Sequence, residues 1–437
     1  MFGSDEGPWN LTSRLELKVG ARLRVIALID PDAARCKAQL DAKLGTEVAV
    51  AYKETKVYRN VDDFIAATPR PQWPRCVIVG SPPAFRGSDK PGRDVEMRLL
   101  DAMPGVSMFL EKPVSTDEVP AARRVAQFME ERKDIVSIGY HLRYLKGALK
   151  PMCPADSPVV QKLKRIIEAN NLQVMSIIAI YSASYERIAK PGWWMKSRDC
   201  GPVVEQGTHF ADLSRYIGGD VDLDTVMAHA VEHDEPAGEL SVVPVDESII
   251  APEDRIPRVT TASWKFKSGA VGTLIHSAVL QGAKYATELQ VFADGFMFRL
   301  LDPYNNPKLI VRRPDSDAEE EFSYPGDDPY QGEMDAFIDT VEHGIEQTAF
   351  FSSYNDAVDT CVVTVSTLLI SQLRAHLGDH ACRRGFDGEA TGKGRDGQAG
   401  GVVQARRDCR EGLRVDDVLI AWTISHCCAV LLLVTTL

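Results

Sequence analysis

No two of the nine cysteines stand as C-x-x-C, and none has ligand spacing with a histidine. That excludes a disulfide framework and a Cys/His zinc module, and it suits free thiols in a reducing, cytoplasmic compartment. Runs of basic residues interleaved with aromatics are also absent, and the net charge is -12. A nucleic-acid backbone or an anionic membrane surface is therefore excluded as the main partner. The N-terminus, "MFGSDEGPWNLTSRLELK", has no apolar core of the kind a secretory signal needs. The G-x-G-x-x-G pattern does occur, as "GKGRDG" from Gly392 to Gly397, but no apolar strand runs into it and no helix leaves it. Such a motif works only between a buried strand and a helix N-terminus, so this match is read as chance.

What is present is ordinary globular protein: 437 residues, 44% hydrophobic and 26% charged, enough for two or three domains. The apolar run Val418 to Leu437, "VLIAWTISHCCAVLLLVTTL", is long enough to cross a bilayer. It is compatible with a tail anchor, with a buried helix, or with a tail foreign to the ancestral domain. Any membrane contact is expected only through residues 418–437.

Between Leu23 and Tyr144 strand-like and helix-like pieces alternate. "LRVIALID", "RCVIVGSPP", "VSMFLEKPVS" and "IVSIGYHLRY" read as buried strands. "PDAARCKAQLDAKLG", "GRDVEMRLLDAM" and "DEVPAARRVAQFMEERK" read as the helices between them. That alternation predicts a parallel α/β sheet over 1–147. From about Ala148 to 370 the strands are longer and alternate in polarity, with Ser268-Gly269 at a hairpin position. A mostly antiparallel sheet is predicted there, with helices near 202–217 and 330–343. Residues 371–437 form an atypical tail, with 376–417 read as linker-like and the remainder apolar.

Ligands of open parallel sheets bind beyond the strands' carboxyl ends, which singles out three places. Asp30 closes the first strand; it either accepts from an adenosine ribose or caps the next helix. "GSPPAF", with Ser81 and Pro82, closes the second as a stiff loop that either braces a flat ring or only turns the chain. "EKPVS" closes the third, and Lys112 there either points a charge into the crevice or is a solvated turn residue. A fourth constellation, "GPVVEQGTHFADLSRYIGG", is read as one helix starting at Gly201-Pro202. On it Glu205, His209, Asp212 and Tyr216 share a face, and the Glu–His pair is either an oriented general base or a surface pair.

These pieces, in this order, resemble the Gfo/Idh/MocA family of NAD(P)-dependent oxidoreductases over about residues 20–365. "EKP" resembles its active-site lysine motif, "GYHLRY" its G-x-x-x-R[FY] segment, and "EQGTHFAD" its E-Q-x-T-H-x-x-D motif. "SGAVGTL" and "SSYNDAVDT" also fit its second domain. The resemblance implies a Rossmann domain, an α/β substrate domain whose open sheet supports a homo-oligomer, and hydride transfer to or from a sugar, cyclitol or similar polyhydroxy substrate. It implies Lys112 in contact with substrate and nicotinamide, His209 as acid/base and Glu205 as its orienting partner. Asp30, Ser81, Pro82, Glu111, Lys112 and Arg143 are the implied cofactor residues, and Trp194, Lys196 and His209 the implied substrate residues. No metal is implied. The charge of Asp30 would repel a 2′-phosphate, so NAD is expected over NADP.

The family places a strand and glycine-rich loop before the strand that ends in Asp30, and Met1–Arg22 holds neither. That absence motivates one alternative, a non-catalytic module of the same ancestry; the resemblance itself implies another, an NAD-dependent glycoside-cleaving enzyme of the same fold.

Overall fold

The computed structural model describes residues 10–144, 159–184, 195–196, 201–243, 246–282, 285–345, 352–386 and 431–436, with side chains as far as Ser371. Two sheets organise them. In the first, β1 (Arg24–Ile29), β2 (Lys56–Tyr58), β3 (Cys76–Val79), β4 (Ser107–Leu110) and β5 (Val136–Ile138) all run the same way. Their apolar runs have no polar alternation because both faces are covered. β3 and β4 are buried at every residue.

On one face, α5 (Val95–Ala102), α6 (Val119–Arg132) and the start of α11 (Tyr354–Phe386) share a core with Val77, Val79, Met108 and Leu110. On the other, α1 (Leu11–Val19) and α10 (Pro329–His343) pack on Leu28, Ile78 and Phe109. α2 (Ala33–Leu44) follows β1 with Asp32 as its N-cap, and α3 (Ala49–Tyr52) and α4 (Val61–Ala67) flank β2.

The order of the first sheet is β2-β1-β14-β3-β4-β5. β14 (Leu431–Thr436) lies between β1 and β3 and pairs antiparallel with both. In the usual doubly wound order 3-2-1-4-5-6 that central place belongs to the first, parallel strand. The end of the apolar tail is thus a strand of this sheet. Among the described residues no helix is long and apolar enough to cross a membrane. α11 also runs on to Phe386, into the segment read as linker-like. The "GKGRDG" match lies outside the described residues.

The second sheet, in order β13-β12-β11-β10-β6-β9-β8-β7, is antiparallel except for the pair β6 (Val174–Ser184) and β9 (Val271–Leu280). β7 (Val221–Val231) and β8 (Val259–Phe266) continue it on one side. On the other side lie β10 (Ala286–Ala293), β11 (Phe296–Leu301), β12 (Lys308–Arg312) and β13 (Glu319–Ser323). The β8–β9 turn carries Gly269 at φ 92°, left-handed space that glycine enters without steric cost. Ile177, Ala179 and Tyr181 face α7 (Val159–Ala169) and α9 (Thr208–Gly218), while Ile178 and Ile180 on the other face are half-buried.

Candidate active site

Arg86 fixes the carboxyl ends of β3 and β4 against each other. Its side chain is fully buried and donates to the carbonyls of Ser81 (2.7 Å), Val114 (3.0 Å) and Glu111. Gly87 beside it has φ 72°, and a Cβ there would lie 2.0 Å from the Val114 carbonyl oxygen. The two loops that carry Ser81 and Lys112 are therefore one rigid ledge. Ser81 Oγ is buried with no hydrogen-bond partner. The Glu111 carboxylate lies against Gly139, whose missing Cβ would stand 3.2 Å from Oε2.

Lys112 crosses from this ledge to the second domain. Its Nζ donates to the carbonyl oxygen of Glu205 at 2.7 Å and to Glu205 Oε1 at 3.0 Å. The single helix read over 201–218 is in fact two, α8 (Gly201–Glu205) and α9. The N–H groups of Gln206 and Gly207 both turn back to the Pro202 carbonyl, at 2.8 and 3.3 Å. A Cβ at Gly207 would lie 2.5 Å from Val203 O, so glycine is what lets the chain pass so close. Because of this break, Glu205 and His209 do not lie along one continuous helical face. Glu205 meets Lys112, and His209 Nδ1 is buried without a hydrogen-bond partner.

His209 opens a chain of rings. Its centroid lies 4.5 Å from that of His141, and His141 stacks on Tyr330 at 4.1 Å and 22°. Tyr304 stands 5.6 Å from His141 and 6.1 Å from His209. Burial, with Lys112 nearby, lowers both histidines: His141 to about 3 and His209 well below its ordinary value. Both imidazoles are neutral at neutral pH. Beneath them His276, lowered by burial to about 4, shares a 3.0 Å hydrogen bond with Gln206 Oε1 and stacks on Tyr181.

The other expected residues lie elsewhere. Asp30 is fully buried, accepts from the Asp32 N–H at 2.7 Å and pairs with Arg35; the helix cap is Asp32, not Asp30. Arg143 is taken up by Asp212, through Nε at 2.7 Å and Nη2 at 2.5 Å, and by Asp356, with the Tyr216 ring under its guanidinium. It ties the "GYHLRY" segment to α9 and α11. Lys196 pairs with Glu232 at 2.8 Å, beyond the end of β7. Trp194 lies outside the described residues.

Three site residues were missed: His141, Tyr304 and Tyr330. His141 stood in plain view inside "GYHLRY", whereas nothing local marks the two tyrosines.

Part of the cofactor-binding machinery fits a nicotinamide nucleotide. The partnerless Ser81 hydroxyl, the Glu111 carboxylate and Lys112 crowd one ledge and suit an amide and a ribose. At the centre of the sheet the antiparallel β14 holds the place of the parallel strand. Among the described residues no glycine turn leads from there into a helix N-terminus.

Comparison with known proteins gives two family matches: "Oxidoreductase family, NAD-binding Rossmann fold" over residues 1–140, and "Putative oxidoreductase C terminal domain" over residues 156–296. The chain is 43% identical over 366 residues to the uncharacterized protein UNK4.17 of Schizosaccharomyces pombe, covering 83% of this chain and 87% of that protein. Among solved structures it resembles an oxidoreductase from Agrobacterium radiobacter in complex with NAD+, L-tartaric acid and magnesium. That likeness has TM-score 0.59 and 14% identity, and covers 83% of this chain and 94% of that one. It also resembles UDP-N-acetylglucosamine 3-dehydrogenase GnnA from Acidithiobacillus ferrooxidans, with TM-score 0.52 and 17% identity, covering 78% of this chain and 88% of that one. At these identities the solved structures speak for the fold alone.

Proposed function

The chain belongs to the Gfo/Idh/MocA family of oxidoreductases, with an NAD-binding Rossmann domain, and from that premise we propose that it moves a hydride between NAD and a sugar, cyclitol or similar hydroxy compound. The observation that carries the reading is the placement of Lys112 Nζ across the domain boundary, held at Glu205, beside a neutral His209 with an unpartnered nitrogen.

The nicotinamide, when bound, supplies the hydride acceptor or donor. Neutral His209 takes the proton of the substrate hydroxyl and returns it in the reverse direction. The positive charge of Lys112 stabilises the alkoxide that develops as the proton leaves. Asp30, fully buried at the end of β1 and already paired with Arg35, gives no charge-based preference between NAD and NADP.

Lys112→Ala and His209→Ala are each expected to lower kcat by about 10²–10⁴-fold. Both are read as polyol-dependent NAD+ reduction, and rates equal to wild type in either variant would sink the proposal.

A half-buried apolar row on the open face of the second sheet, Ile178, Ile180, Ile275, Phe292 and Met297, supports a homo-oligomer formed through that face. One observation favours a second reading. With β14 in the central place of the first sheet, the fold persists as a module that does not turn over cofactor. Titration of the full chain with NADH, followed by fluorescence, separates the two, since the second reading expects no saturable binding.

A further inference from the structure

Buried polar atoms in folded proteins are nearly always hydrogen-bonded, so a group of them without partners calls for a ligand or another stated cause. Around His209 three such atoms meet, and a fourth lies on the adjoining helix α10. His209 Nδ1, His141 Nε2, the Tyr304 hydroxyl and Glu333 Oε2 are all buried, and none has a hydrogen-bond partner. The ring contacts join the first three into one wall, and Tyr330, stacked on His141, joins α10 to it. Glu333 follows Tyr330 by three residues on the same helix, is 1% exposed, and lies within electrostatic reach of Glu111 and Lys112.

We propose that His141 Nε2, the Tyr304 hydroxyl and the Glu333 carboxyl form the hydroxyl-recognition side of the site, which takes a polyhydroxy compound and sets which of its carbons faces His209. This rests on the function proposed above and adds specificity-determining residues to it.

The donor set points to this class of ligand. A neutral imidazole and a phenol each donate or accept. Burial, with Glu111 nearby, raises the Glu333 carboxyl well above the ordinary range, so it too is neutral and both donates and accepts. Such a set matches hydroxyl groups, which also do both. It is a poor match for a strongly anionic group such as a phosphate, because the cations within reach of Glu333, Lys112 and Arg14, are each already paired with a carboxylate, Glu205 and Asp328. An apolar ligand would leave all these atoms unpaired. The ring faces between them suit the C–H face of a sugar or cyclitol ring.

The experiment compares the full wild-type chain with Tyr304→Phe and Glu333→Met, which remove polar atoms and keep most of the volume. Melting temperature is measured alone and with myo-inositol, D-glucose and D-xylose, and NADH affinity by fluorescence. A hydrogen bond serving the fold would be lost in these variants and lower the melting temperature. Atoms kept for a ligand would leave it unchanged or raise it, the usual balance at functional sites. The expected result is therefore no fall in melting temperature without ligand, stabilisation of wild type by at least one of the polyols, and loss of that stabilisation in both variants. NADH affinity should stay within about threefold of wild type in both, because ground-state contacts to substrate do not touch the cofactor.

A fall of more than about 1 °C in either free variant, the size that losing one hydrogen bond of ordinary strength gives in a chain this long, would overturn the proposal. So would equal polyol stabilisation of variants and wild type, or no stabilisation of wild type by any of the three compounds. Loss of NADH binding in the variants alone would assign these atoms to the cofactor instead. Failure of the wild type to bind NADH would count against the proposed function, while the melting data would still decide this proposal.

Discussion

Histidine 276 offers a test of burial at the site that needs no substrate. It is 3% exposed, and burial alone lowers it from 6.5 to about 4. At pH 7.5 the imidazole is neutral both folded and unfolded. At pH 5.0 the unfolded imidazole has taken a proton and the folded one has not. The unfolded state binds more protons, so stability falls as pH drops, over a window from 6.5 down to about 4. Integrated between pH 7.5 and 5.0, the loss from this one residue is about 2 kcal/mol.

His276→Gln removes the titration and keeps an amide that can reach the Gln206 side chain. Urea unfolding of both proteins at the two pH values gives four free energies. The fall from pH 7.5 to 5.0 is expected to be about 2 kcal/mol smaller in the variant. Comparing variant with wild type matters because Glu333 and Glu96, raised by burial, titrate with the opposite sign and cancel in the difference. Equal pH dependence in the two proteins would refute the reasoning, because it would mean that His276 takes up its proton in the folded state as readily as in the unfolded one.

Two further outcomes follow from packing and pairing. Arg143→Met leaves the buried Asp212 without its ion-pair partner, while Asp356 keeps Arg215 at 3.0 Å, and breaking a buried pair on one side costs about 3–5 kcal/mol, read from urea midpoints. A loss below about 1 kcal/mol would place the pair among weakly contributing surface bridges. A chain ending at residue 430 strips β1 and β3 of the strand between them, at about 1 kcal/mol for each ladder bond lost. It is expected to melt lower and to aggregate through the opened edges. A melting temperature equal to that of the full chain would show that β14 contributes nothing to the sheet.

Much of the fold was legible because its signals are local. The continuous apolar runs of β3 and β4 can only be strands covered on both faces, and the intervening helices follow with their punctuation. Alternation in β6 and β10 marks a sheet with one covered face, and Ser268-Gly269 marks its hairpin. The Lys112 and His209 segments were legible as motifs, since one follows the end of a strand and the other lies at the start of a helix.

Four things were decided only in the folded chain. The break at Gln206–Gly207 depends on how closely Gly207 approaches Val203, and spacing along an uninterrupted helix could not foresee it. That break moved Glu205 from His209 to Lys112. Arg143 went to Asp212 and Asp356 because three segments far apart in the chain bury it together, and a buried guanidinium takes the carboxylates that reach it. Tyr330 and Tyr304 reached His141 because α10 and the residues after β11 pack there. Finally, an apolar run that locally reads equally well as a membrane span ends as β14, because unpaired backbone groups on β1 and β3 can hydrogen-bond any extended segment that reaches them. Composition, periodicity and end signals are properties of neighbours in sequence; which side chain meets which across the crevice depends on packing between elements far apart in the chain, as with Lys112 and Glu205 at a separation of 93 residues.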